Sequence, residues 1–130
     1  MHREAKDAVE AYPHKFNVIG VEPTLKVDTS LCKNHLQLIV DDLDTDVELY
    51  PQYHYAHKED IMKAVDFGKK HKVHIIHCAA GLSRSPAIAY AIFRSQGMSK
   101  KEAMDKVLEI QPEAIPNKRI VKLTDEIFGK

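Results

Sequence analysis

Cys78 and Arg84 stand six residues apart in the segment VHIIHCAAGLSRSP, residues 73–86. The first five residues read as a buried strand ending at His77. A tight loop follows, and an apolar helix begins near Arg84. Backbone N–H groups at a helix start have no intrahelical partner, and the helix dipole adds partial positive charge there. A loop curled ahead of such a helix aims further N–H groups at a bound anion. Gly81 permits backbone angles that other residues avoid, and Ala79 and Ala80 keep bulk out of the cradle. Leu82 and Ser83 complete the loop. The planar fork of Arg84 fits two phosphate oxygens at once. At the bottom of this cradle, N–H groups that hold a phosphate also stabilise a thiolate at Cys78. A thiolate beneath a phosphate monoester is placed for in-line attack and a phosphocysteine intermediate. Ser85 is placed to hydrogen-bond the sulfur as it leaves. His77 lies on the opposite face of an extended chain from Cys78, so it reads as a structural support for the loop backbone rather than a base.

The elements that must position this loop are legible as strands alternating with helices. Residues 3–11 form a short amphipathic helix ended by Pro13. Residues 16–21, 36–40 and 73–77 are apolar strand candidates. Helical spacing marks 58–70 and 84–96. Ser99 and Glu102 have the spacing of a capping box that opens a helix to about Ile110, and Asn117 caps a last helix carrying Ile120, Leu123 and Ile127. The expected fold class is α/β: a single domain, residues 1–130, with a small, largely parallel central sheet flanked by helices. An acidic, turn-like run from Asp41 to Glu48 follows the second strand, and an aromatic stretch holding Tyr50, Tyr53 and Tyr55 comes next.

The pattern His77-Cys78-x-x-Gly81-x-x-Arg84-Ser85 resembles the signature of the protein tyrosine phosphatase superfamily. The Ala-Gly-Leu-Ser-Arg-Ser form is similar to its dual-specificity-like branch and to small bacterial tyrosine phosphatases. The likeness extends to Pro116-Asn117 at the start of the late helix and covers about residues 16–128. It implies the cysteine-phosphatase fold and a two-step hydrolysis without metal or other cofactor. Arg84 and the loop amides would hold the phosphate, and an aspartic acid would protonate the leaving oxygen and then activate water. That acid follows a strand a few dozen residues before the cysteine. Asp41-Asp42-Leu43 overlays the stretch that ends this strand in similar bacterial enzymes, with Asp42 as the acid; Asp41, Asp44 and Asp46 are the alternatives. The implied partner is a phosphorylated protein, tyrosine-only or dual in specificity, or another phosphate monoester such as an inositol lipid, nucleotide or sugar phosphate. A phosphoprotein-binding module without turnover and a rhodanese-like sulfurtransferase are the competing readings.

Composition narrows the rest. The 130 residues carry 19 basic and 19 acidic side chains, so no global field draws the chain to nucleic acid or to an anionic membrane. No apolar run reaches the length of a membrane span, and the N-terminus lacks the form of a signal peptide. The two cysteines then read as reduced thiols of a cytoplasmic protein. Cys32 is expected to be an ordinary buried thiol, with a disulfide to Cys78 under oxidation left open. The run Asp42, Asp44, Asp46 mimics the start of a calcium loop but has Val47 where glycine is required and Tyr53 where glutamate is required. The histidines lack the spacing of a zinc site.

Overall fold

The computed structural model describes residues 2–79 and 82–129. Strand β1 (Asn17–Val21) is buried along its whole length, as the run Val-Ile-Gly-Val requires. It forms the centre of a three-stranded parallel sheet, between β2 (Asn34–Leu38) and β3 (Ile75–His77). Asn17 stands opposite Asn34 and Val21 opposite Leu38. On the other side Val18 faces Ile75 and Gly20 faces His77.

Two of these strands depart from the sequence expectation. The strand expected at 36–40 runs instead from Asn34 to Leu38. Its limits are set by β1, not by its own apolar run. The Asn34 amide donates to Asn17 Oδ1 at the base, and the Glu22 N–H donates to the Leu38 carbonyl at the top. Ile39 is already 43% exposed. The strand expected at 73–77 shortens to Ile75–His77. One residue earlier, the His74 N–H still donates to the Asn17 carbonyl at 3.0 Å, but the Asn17 N–H donates to the imidazole Nδ1 of His74 rather than to a carbonyl, so the ladder is only half made there.

The helices fall where the periodicity and caps put them: α1 (His2–Ala11), α2 (Lys58–Lys70), α3 (Arg84–Ser95), α4 (Lys100–Ile110) and α5 (Lys118–Phe128). The capping box of α4 joins Ser99 and Glu102 reciprocally. Asn117 caps α5 by accepting the Ile120 N–H at 3.0 Å. The main core lies on one sheet face, where Ile19, Val21 and Leu38 pack with Ile61, Ala64, Ile88, Ala91 and Ile120. Cys78 belongs to this face. On the other face Val18 packs with Ala5 and Val9 of α1 and with Val27 and Cys32. Helix α4 packs Ala103 and Val107 on Tyr90 of α3. Among the described residues no helix is long and apolar enough to cross a membrane.

Candidate active site

Parallel strands deliver their C-terminal ends to one edge of the sheet, and the site is built there. Strand β3 ends at His77, and Cys78 follows directly with 2% of its surface exposed. Helix α3 starts at Arg84 with Ser83 as its N-cap residue. Cys78 and Ser85 meet across the loop. The sulfur lies 3.3 Å from the Ser85 hydroxyl, and the Ser85 N–H points at it from 3.4 Å. A helix-start amide and a hydroxyl therefore both address the sulfur. Ala80 and Gly81 lie outside the described residues, and Ala79 is exposed beside Cys78.

Arg84 is buried. One guanidinium nitrogen, Nη1, donates to the Val40 carbonyl at 2.9 Å. Its Nε is buried without a hydrogen-bond partner among the described residues. An unpartnered buried donor on a cation is costly, and an anion in the adjacent loop would satisfy it.

The bond to Val40 also ties Arg84 to the acidic stretch that begins at the next residue. Asp42 is exposed, and its Oδ1 accepts from Ser83 Oγ at 2.8 Å and from Asn117 Nδ2 at 2.9 Å. Both donors use Oδ1, which leaves Oδ2 without a hydrogen bond among the described residues. Asn117 joins three parts of the chain at once. It caps α5, holds Asp42, and donates its own N–H to the Ser83 carbonyl at 3.0 Å. The neighbouring Ile115 N–H donates to Leu82 at 2.7 Å. Asp41 turns the other way. Its carboxylate accepts the His54 N–H at 2.7 Å and sits 3.4 Å from the His54 ring. Asp44 and Asp46 are exposed further along, and Asp46 pairs with Lys122.

Three residues that shape the site gave no sequence signal strong enough to single them out. Arg119, 7% exposed, donates to the carbonyls of Ala56, Thr45 and Asp46 and to the Glu48 carboxylate. It lies over the Tyr55 ring at 5.3 Å, within cation–π range. One buried guanidinium thus closes the whole irregular stretch from 45 to 56 against α5. The hydrogen bond from His57 holds the Glu48 carboxyl below its ordinary range, with the charges of His57 and Arg119 acting the same way. Glu22 and Gln37 are the other two, and they stand behind His77. The imidazole of His77 is buried, with Nδ1 3.4 Å from Glu22 Oε2. A charged residue directly after an apolar strand was the available hint for Glu22. Of the tyrosines, Tyr55 is buried under Arg119, and its hydroxyl accepts the Tyr50 N–H. Tyr50 and Tyr53 are exposed and meet edge to face.

Cys32 lies at the opposite end of the sheet. It precedes β2 at its base, whereas Cys78 leaves the top of β3. The register separates them by about six rungs, roughly 20 Å at the rise of a strand. A disulfide between them is excluded in this fold, since bridged Cα atoms stand within about 7 Å of one another. Burial raises the Cys32 thiol above its ordinary range, and the Asp28 carboxylate adds to this.

No family model matches the sequence. No curated protein matches it either. The fold, in contrast, is shared with solved structures at low identity. Tk-PTP in its active form aligns with a TM-score of 0.68 at 18% identity, covering 100% of this chain and 87% of that one. A variant of human DUSP28 aligns with a TM-score of 0.69 at 22% identity, covering 96% and 84%. A human tyrosine phosphatase-like serine/threonine/tyrosine-interacting protein aligns with a TM-score of 0.56 at 24% identity, covering 86% and 75%. The chain therefore has the α/β fold of the tyrosine and dual-specificity phosphatase structures.

Proposed function

We propose that this chain is a cysteine-dependent phosphomonoester hydrolase acting on phosphorylated protein, with phosphotyrosine as the preferred ester. The observation that carries the reading is the placement of Asp42. A carboxylate that the sequence separates from Cys78 by 36 positions is bonded to Ser83, a member of the cysteine's own loop.

In the first step the Cys78 thiolate attacks phosphorus and the bond to the leaving oxygen breaks. Asp42, protonated on Oδ2, gives that proton to the leaving oxygen. Arg84 and the loop amides hold the three remaining oxygens as charge spreads over them. In the second step Asp42 takes a proton from water, the new O–P bond forms, and the S–P bond breaks. The Ser85 hydroxyl and N–H, already facing the sulfur, stabilise the departing thiolate. Serine and threonine phosphates share this chemistry. Phosphotyrosine is favoured because Ile115, an exposed apolar side chain, is tied through its own N–H to Leu82 of the cysteine's loop, where an aromatic ester can pack against it.

The second reading is a module that captures phosphoprotein without turnover, and the fold shared with a phosphatase-like interacting protein favours it. Release of phosphate from p-nitrophenyl phosphate, lost in Cys78→Ser while phosphopeptide binding persists, supports the hydrolase. Phosphopeptide binding by the wild-type chain with no turnover on any of a panel of phosphopeptides, inositol phosphates and sugar phosphates would establish the module.

A further inference from the structure

The sheet face opposite Cys78 changes character along its length. At the base it is apolar, with Val18 and Ile75 packed on α1. At the top, next to the phosphate loop, it becomes polar. Gly20 stands opposite Gln37 on one side and His77 on the other, so the three share one face. A Cβ at Gly20 would lie 2.4 Å from Gln37 Oε1 and 3.0 Å from His77 Nε2. The two long side chains therefore lean over the glycine, and no other residue leaves them that room. Two residues beyond Gly20, on the same face, Glu22 is 2% exposed with Oε2 3.4 Å from His77 Nδ1. Its main chain is fixed from both sides. The N–H donates to Leu38 at 3.0 Å, and the carbonyl accepts from Gln37 Nε2 at 2.7 Å.

Stability alone is a poor reason for a carboxylate in this position. Buried ion pairs are often replaceable by apolar side chains without loss, because desolvation offsets their attraction. Geometry is the better reason. β3 has three residues and pairs with β1 on one side of the sheet only. Its last residue, His77, hands the chain directly to Cys78. A carboxylate oxygen 3.4 Å from Nδ1, within ion-pair reach though outside hydrogen-bond geometry, favours the proton on that nitrogen and so biases the tautomer and plane of the ring. A fixed ring in turn fixes the backbone at the point where the loop begins.

We infer that Glu22 is a positioning residue for the phosphate loop, acting through the His77 imidazole on the main chain that carries Cys78. The inference rests on the reading of Cys78 as the nucleophile. Glu22 touches no substrate. It sets the geometry in which the loop amides meet the sulfur.

The test uses the full chain with the isosteric Glu22→Gln substitution. Three quantities are read: the alkylation rate of Cys78 by iodoacetamide at neutral pH, located by peptide mass; the ¹⁵N imidazole signals of His77; and kcat and KM on p-nitrophenyl phosphate. Small misplacements of reacting groups are costly, and about tenfold slower alkylation and a comparable fall in kcat are expected, with KM little changed. The His77 signals should lose the fixed Nδ1–H pattern. A merely structural loosening would do the reverse at Cys78, since opening a buried thiol speeds its alkylation. Gly20→Ala pushes against Gln37 Oε1 and the His77 ring while keeping the carboxylate itself in the chain, and it should slow alkylation likewise even where Glu22→Gln does not fold. Wild-type or faster alkylation of Cys78 in the folded variants, with His77 signals unchanged, overturns the inference. If the wild-type chain hydrolyses no phosphate ester, the hydrolase reading fails, while alkylation and imidazole signals still decide the role of Glu22.

Discussion

The two faces of the three-stranded sheet are built on different principles. One carries Ile19, Val21 and Leu38 into the main core, and Cys78 emerges on that side. The other packs Val18 and Ile75 on α1 and, beside and beyond them, carries His35, Gln37, His77 and Glu22, polar groups that are wholly or partly buried. Apolar burial is non-directional and tolerates small errors of placement. Buried polar groups are stabilising only in one geometry and costly in others. The apolar face holds the strands together, and the polar face sets the angle at which β3 enters the loop. Their difference shows how three short strands can present a loop accurately. Directional contacts also sort the rim, where Asp42 is held by two hydrogen bonds and Asp41 is turned away by the His54 N–H.

The largest effect should come from the loop itself. Arg84→Lys keeps the charge but loses the planar fork and the bond to Val40. On the hydrolase reading turnover of p-nitrophenyl phosphate should fall by at least about 10³-fold, the scale of removing a transition-state charge clamp. A near-normal rate would detach Arg84 from phosphate binding. The rim comes next. Asp42→Asn should lower kcat by about 10²–10⁴-fold on an alkyl or phenyl phosphate, with a smaller loss where the leaving group needs no proton. Asp41→Asn should stay close to wild type, because an amide oxygen can still accept the His54 N–H. The opposite ranking would show that the acid is one residue earlier than the geometry indicates.

Stability separates the two faces directly. Ile19→Ala removes a fully buried side chain from the apolar face and should cost about 2–5 kcal/mol in chemical denaturation. Gln37→Leu on the polar face loses one hydrogen bond, a net effect of about 1 kcal/mol, and also removes a buried amide oxygen that has no partner among the described residues. Equal losses at both positions would end the distinction between them. The two thiols give a further contrast. Iodoacetate should modify Cys78 and spare Cys32, whose thiol is held protonated by burial and by Asp28; phosphate or vanadate should protect. Labelling confined to Cys32 would contradict both the site and the contrast.

The smallest expected effect lies at His35. Burial lowers its affinity for a proton, so the unfolded chain binds that proton more readily than the folded one. Its contribution to stability is present above the ordinary imidazole range and is lost as pH falls through that range towards the lowered folded value. His35→Phe should flatten this part of the stability–pH curve, measured by denaturant titration across it. A curve that keeps its slope would assign the effect to another histidine.

Much of this was legible along the chain, for local reasons. Helix α4 announces itself because Ser99 and Glu102 satisfy each other's backbone within four residues, and Asn117 announces α5 in the same way. Cys78, Arg84 and Ser85 sit within one strand–loop–helix turn, so spacing alone brings them together. Asp42 needed a resemblance as well as a pattern, since its neighbour Asp41 carries the same carboxylate.

What only the tertiary structure decided depends on pairing between distant segments. The limits of β2 and β3 follow the ends of β1, because a strand exists only where it has a partner, and so the apolar runs at 36–40 and 73–77 misplace them. Arg119 looks like any charged residue of an amphipathic helix until its guanidinium is seen to gather carbonyls from the stretch ahead of α2. The distance between Cys32 and Cys78 is a matter of parallel register. Glu22 and His77 are 55 positions apart and meet because Gly20, opposite His77, has no side chain to keep them apart. Directional contacts of this kind arise from the fold as a whole, and the order of residues encodes them only through it.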